Sequence, residues 1–205
     1  MDVLAPQHLR NGTRVLKPVI GGTLPDASLR ESYEQLIRSR YEVVHGARLL
    51  QLMPNLLGCV GVDDRPLAVL GYQSAAHRPL FLEQYLDAPI EEVLRSRGES
   101  LGAIVRLERR RIVEVGNFAS HDRSATMELL KQLPGVLVRE GFEWLVFTGT
   151  PRVRELVASF GAPLLDLGVP EPQRLQRDAD CWGRYYDSAP RVMAGWLGHC
   201  AQVAA

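Results

Sequence analysis

Apolar residues at helical spacing, Leu29, Tyr33, Leu36, Ile37, Tyr41 and Val44, predict an amphipathic helix from Leu29 to about His45. Pro25-Asp26-Ala27-Ser28 marks its start. Before it, Thr13 to Ile20 alternates weakly, as a strand does, and Gly21-Gly22 ends the run. Leu56–Val62 and Pro66–Gln73 are apolar runs flanking Asp63-Asp64-Arg65, the pattern of a hairpin. Leu80 to Tyr85 reads as a short extended piece, which would point Leu82 and Gln84 one way and Glu83 and Tyr85 the other. Pro89 to Arg97 reads as a helix closed by Gly98.

The second half repeats these patterns. Ala103–Leu107 and Arg111–Phe118 predict another hairpin, turned at Glu108-Arg109-Arg110. Asp122 is placed to cap a helix reaching Arg139, with Met127, Leu130, Leu133, Val136 and Leu137 as its apolar stripe and a kink at Pro134. Trp144–Phe147 is a buried strand, Pro151–Phe160 a helix stopped by Gly161, and Leu164–Leu167 and Trp182–Tyr186 are last strands. Glu171 to Asp180 reads as a surface loop. Strands and helices in this order predict a mixed α/β (α+β) fold. The length suits one domain over residues 1–205, with residues 1–25 as an N-terminal strand and extension.

Composition narrows the function classes. Formal net charge is zero, so long-range steering to nucleic acid or anionic membrane is not expected. Only Lys17 and Lys131 are lysines; the other basic residues are arginines, a bias that genome composition or anion binding would each produce. Three cysteines, Cys59, Cys181 and Cys200, lie far apart, and five histidines show no ligand spacing, so neither a disulfide framework nor a metal site is expected. Met1 to Arg10 lacks a secretory signal pattern, and no apolar run has bilayer length. A cytoplasmic protein without a transmembrane segment is the expectation.

The candidate chemistry centres on Arg111–Ser120. Glu114 sits in an apolar strand that stops at Gly116-Asn117, just before a helix N-terminus. Burial would raise its pKa toward that of a general base; pointing outward, it would be an ordinary surface carboxylate. Glu83 is placed to hold a substrate amine or to serve a structural hydrogen-bond network. Trp182, Tyr185 and Tyr186 line an acyl pocket or fill an aromatic core. Backbone amides of Thr148-Gly149-Thr150 receive an oxyanion or a pantetheine carbonyl, or mark a plain helix start at Pro151. His121 is a weaker alternative base, and neither Cys59 nor Cys181 has a partnered base in sequence.

Several short blocks resemble the thermostable hemolysin family: Leu67–Tyr72, Leu80–Leu86, Glu114–Ala119, Phe147–Thr150 and Trp182–Tyr186, within a likeness running from about Tyr41 to Gly195. The resemblance implies a fold similar to GNAT N-acyltransferases and autoinducer synthases, with a mostly antiparallel sheet and helices on both faces. GNAT enzymes hold pyrophosphate on a glycine-containing loop after the central strand; Ser120 to Ala125, at that place, has no glycine and carries Asp122. The autoinducer synthases end this strand in Glu-Leu-Ser-Arg-Phe, which Glu114 and Phe118 match while Asn117 replaces the arginine. They take acyl groups from an acyl carrier protein. Arg106, Arg109, Arg110, Arg111, Arg123, Arg152 and Arg154 are candidate contacts for such an acidic carrier, or solvated surface residues. Together, the residues and the likeness make Glu114 and Asn117 the catalytic candidates, Glu83, Tyr85, Phe118, Thr148, Trp182, Tyr185 and Tyr186 the substrate candidates, and Arg110, Arg123, Ser124, Gly149 and Thr150 the candidates for the carrier's phosphopantetheine.

The function this implies is transfer of an acyl group from a thioester, on an acyl carrier protein or CoA, to a small amine, with no tightly bound cofactor. A membrane-active cytolysin and a non-catalytic binding module are the alternatives. An acylated, detergent-like product would reconcile the family name with enzymatic activity.

Overall fold

The computed structural model describes residues 15–20, 27–98, 107–161, 163–175 and 179–198. Seven strands form a mixed, mostly antiparallel sheet: β1 (Val15–Val19), β2 (Asn55–Val60), β3 (Pro66–Ser74), β4 (Ile112–Ser120), β5 (Trp144–Gly149), β6 (Leu164–Gly168) and β7 (Arg191–Trp196). Their order is β1-β2-β3-β4-β5-β7-β6. The helices are α1 (Ala27–His45), α2 (Ile90–Gly98), α3 (Arg123–Arg139) and α4 (Pro151–Ala158). The mixed α/β class expected from the sequence is therefore the class observed. The chain divides into two compact units, residues 1–72 with 116–132 and residues 73–115 with 133–205.

In the first unit β2 pairs antiparallel with both β1 and β3. The predicted Asp63-Asp64-Arg65 turn forms, with Asp64 at φ 60, a left-handed conformation that aspartate tolerates better than most residues. The α1 stripe buries Tyr33, Leu36 and Ile37, while Val44, expected on it, is exposed. Tyr33 packs against Gly58; a Cβ there would come within 2.3 Å of the ring, so glycine is required for that approach. The Tyr33 hydroxyl then donates to the Lys17 carbonyl at 2.9 Å, tying α1 to β1. The Pro25-Asp26 start lies outside the described residues.

In the second unit β4 and β5 run parallel, from Ile112↔Trp144 to Val115↔Phe147. β7 pairs antiparallel with both β5 and β6. Trp144, Ile112, Leu82, Ile90 and Leu94 are fully buried in its core. At roughly 1.5–3 kcal/mol for each large apolar side chain removed from water, such a core tolerates one expensive buried carboxylate.

Four expectations are corrected. Leu80–Tyr85 is not extended: Phe81–Tyr85 is a 3-10 turn that buries Leu82 and Tyr85, three apart, and exposes Gln84. Trp182–Tyr186 is not a strand but part of a run of 3-10 turns, with Gly183 at φ 53 breaking any extended path. The last strand among the described residues is β7. The α3 stripe is shifted: Ala125, Leu129, Leu133, Val136 and Leu137 are buried, while Met127 is exposed and Leu130 half-buried. The helix is continuous through Pro134. Most of the expected Ala103–Leu107 strand lies outside the described residues; Leu107 and Glu108 are not in a strand, and Arg109–Arg111 is a 3-10 turn leading into β4.

Candidate active site

Glu114 sits opposite Val146 of β5, between buried Val113 and half-buried Val115. Its side chain is only 3% exposed, so the inward reading holds. Ile112, Val113 and Glu114 are consecutive buried residues, so this end of the strand is covered on both faces. Its two oxygens accept from the Phe81 amide at 2.7 Å and the Leu82 amide at 3.1 Å. These are the first amides of the 3-10 turn, which have no partner inside the turn. Burial, with the Glu83 charge, drives the Glu114 pKa up; the two amides and then the Arg78 charge pull it down, and it settles at about 7. Each oxygen keeps a lone pair for a further proton donor.

Glu83, on the same turn, is fully engaged. One oxygen accepts from the Leu80 amide at 2.6 Å, the other from the Ile90 amide at 2.8 Å. The Arg109 guanidinium closes on both oxygens, at 2.8 Å each, and also meets Glu91. Burial pushes the Glu83 carboxyl up, but the Arg109 hydrogen bonds and the two amides outweigh it and hold it below the usual carboxylate range. Glu83 thus fastens the turn whose amides hold Glu114.

The aromatic residues cluster. Ring centroids of Trp182 lie 5.4 Å from Phe81, 5.2 Å from Tyr185 and 6.3 Å from Tyr186. The Tyr85 and Tyr186 hydroxyls are 2.6 Å apart, and Tyr185 donates to the Thr148 carbonyl at 3.1 Å. Because Phe81 also supplies an amide to Glu114, the cluster and the carboxylate share a turn. Burial raises the Tyr85 phenol far above its ordinary value, so it stays protonated. The Thr148 hydroxyl is buried without a protein partner. Gly149 packs on the Phe147 ring, and Thr150 precedes Pro151 at the start of α4 without a side-chain cap.

Several of the remaining expected residues have partners of their own. Asn117, in the first unit, has φ 49, and its Oδ1 accepts from the Met53 amide at 2.8 Å. Phe118 beside it is half-buried. At the start of α3, Asp122 caps the Ala125 amide at 2.6 Å, so the helix N-terminus is closed by its own carboxylate; Arg123 and Ser124 are exposed. The expected basic surface is partly consumed: Arg109 serves Glu83 and Glu91, Arg110 pairs with Glu108, and Arg111 with Glu143. Arg152 is exposed, Arg154 has a buried Nε without a partner, and Arg106 lies outside the described residues.

Sequence reasoning missed two neighbours of Glu114. The Ala75 amide donates to the Ile112 carbonyl at 3.0 Å. Stepping two residues back along β3 and two forward along β4 puts Gln73 opposite Glu114. These are the buried polar side chains of the described residues. Gln73 Oε1 accepts from Arg78 Nη2 at 2.5 Å. A polar residue inside the apolar run Leu67–Tyr72 and onward was the available clue.

Residues 24–201 match the thermostable hemolysin family. The chain belongs to that family. Its fold is similar to that of several solved acyltransferases. The acyl-homoserine lactone synthase LasI superposes with a TM-score of 0.60 at 12% identity, covering 91% of each chain. FeeM, an N-acyl amino acid synthase from uncultured soil microbes, gives 0.59 at 12% identity, covering 96% of this chain and 94% of its own. BjaI, a CoA-dependent acyl-homoserine lactone synthase solved with SAM and isopentyl-CoA, gives 0.55 at 11% identity, covering 82% and 77%. No curated protein sequence matches significantly.

Proposed function

We propose that this member of the thermostable hemolysin family is an N-acyltransferase that moves an acyl group from a thioester to a small amine. The observation that carries the reading is Glu114, a buried carboxylate with a pKa of about 7 on a strand of an acyltransferase fold. A base with that pKa is half ionised at neutral pH and still able to take a proton from an ammonium.

The steps are direct. Glu114 accepts a proton from the acceptor's ammonium group, and the amine nitrogen attacks the thioester carbonyl. The carbon–nitrogen bond forms, the oxyanion collapses, and the carbon–sulfur bond breaks. The departing thiolate takes up, as the thiol, the second proton that the nitrogen loses as the amide forms, and Glu114 returns its proton to solvent; no acyl-enzyme is formed. Thr148 is the group we assign to the thioester carbonyl, because its buried hydroxyl has a hydrogen to donate and no protein acceptor. Glu83 and Arg109 are positioning residues: they fix the turn that presents the Phe81 and Leu82 amides. Trp182, Tyr185 and Tyr186 form the apolar wall beside the reacting groups, and Asn117 shapes β4 by holding the Met53 segment.

The donor is a phosphopantetheine thioester. Asp122 at the start of α3 disfavours a pyrophosphate there, which supports an acyl carrier protein over CoA; the CoA-dependent relative BjaI supports CoA. The test is mass spectrometry of amine products formed from one acyl chain presented on each carrier. Acylated amine from the wild type and not from Glu114→Gln is expected. No product from either carrier, across a broad amine panel, overturns the acyltransferase reading.

A further inference from the structure

The chemistry above leaves Gln73 and Arg78 without a task. Gln73 is 8% exposed, an uncommon place for an amide side chain, and faces across the strand pair to Glu114. Its oxygen holds Arg78 Nη2 at 2.5 Å, while its own amide reaches the Pro79 carbonyl only at 3.5 Å. Arg109, Arg111, Arg174 and Arg191 of the same unit each meet a carboxylate. Arg78 does not: it is exposed, its described side-chain partner is the neutral Gln73, and its charge is felt by Glu114. Gln73 therefore orients, without neutralising it, a guanidinium whose charge reaches the base. Most of that planar fork remains available, and its geometry matches a carboxylate.

Building on the acyltransferase reading, we infer that Arg78, aimed by Gln73, grips an anionic group of the acceptor, so that the acceptor is an amino acid, with its carboxylate on Arg78 and its amine at Glu114. In an amino acid the ammonium and carboxylate are joined through one carbon, so base and anion-binding group must lie side by side. A residue of β4 and the segment just beyond the opposing residue of β3 meet that requirement. A simple amine would leave the Arg78 charge with nothing to bind.

The experiment compares matched pairs, L-phenylalanine with 2-phenylethylamine and L-leucine with 3-methylbutylamine, in wild type, Arg78→Gln and Arg78→Lys. Calorimetric binding is measured alongside acylation. The wild type should favour the amino acid of each pair. That preference should fall roughly 10–100-fold in Arg78→Gln, the worth of one charge-assisted hydrogen-bonded contact, mainly through KM or Kd, with partial recovery in Arg78→Lys. A purely electrostatic effect on Glu114 would shift the pH profile equally for both members of a pair and leave the preference intact, which overturns the inference. So does binding with no dependence on the carboxylate. Carboxylate-dependent binding without acyl transfer would instead retain the Arg78 site and refute the acyltransferase reading.

Discussion

The Glu114 carboxyl is pulled in two directions. Burial favours its neutral form; two backbone amides and Arg78 favour the anion, and burial wins enough to bring the pKa to about 7. Activity should therefore rise with pH through about 7 as the base ionises. Glu114→Gln should lower kcat roughly a hundredfold to ten-thousandfold with the far-UV spectrum unchanged; full activity in that variant would remove Glu114 from the mechanism. Arg78→Gln should move the rising limb upward, because it deletes a charge that favours the anion. Stability follows with its own sign. The folded pKa lies above the unfolded one, so the native state binds the extra proton between the ordinary carboxylate range and about pH 7. Stability from this group is present below that window and is lost as pH rises through it. The wild-type Tm should fall across the window, and Glu114→Gln should flatten that slope.

The Phe81–Tyr85 turn owes its shape to a bond network that no local pattern announces. Leu80, Phe81 and Leu82 are consecutive apolar residues, which read as extended; what folds them is Glu83 bound to Arg109, 26 residues away. That distance is why the turn was illegible while α1, the β2–β3 hairpin, β5 and the Asp122 cap were not: each of those rests on local periodicity, turn chemistry or capping. The same logic explains β7. Met193, Ala194 and Gly195 have weak strand propensity, and the strand exists because β5 and β6 both pair with it. The aromatic run before it offered a stronger false pattern. The burial of Glu114 was an open alternative in the sequence, and its partners Phe81 and Leu82 were not foreseeable once their segment was read as a strand. Arg109→Gln should destabilise the protein by about 1–3 kcal/mol, because it leaves two partly buried carboxylates without their cation. Arg110→Gln, next in sequence but exposed and paired with Glu108, should leave stability unchanged. Equal midpoints for the two variants in urea unfolding would show that the Glu83–Arg109 fork does not hold the turn.

The family name describes lysis, while the solved structures that share the fold include synthases of acyl-homoserine lactones and N-acyl amino acids. Among the described residues no helix is long and apolar enough to cross a membrane. An acyl chain joined to a charged acceptor is, however, a surfactant: each buried CH₂ adds about 0.8 kcal/mol to membrane partitioning while the head group stays in water. Membrane damage is then expected to come from the product rather than from the chain itself. Purified protein should release no dye from phosphatidylcholine vesicles when added alone. Release should begin only after acyl thioester and acceptor are both supplied, lag behind product accumulation, and be absent with Glu114→Gln. The order of events separates the two accounts, because a lytic protein acts on mixing and an acylated product acts after turnover. Immediate, donor-independent release that persists in Glu114→Gln would assign lysis to the polypeptide and leave the acyltransferase fold to be explained on other grounds.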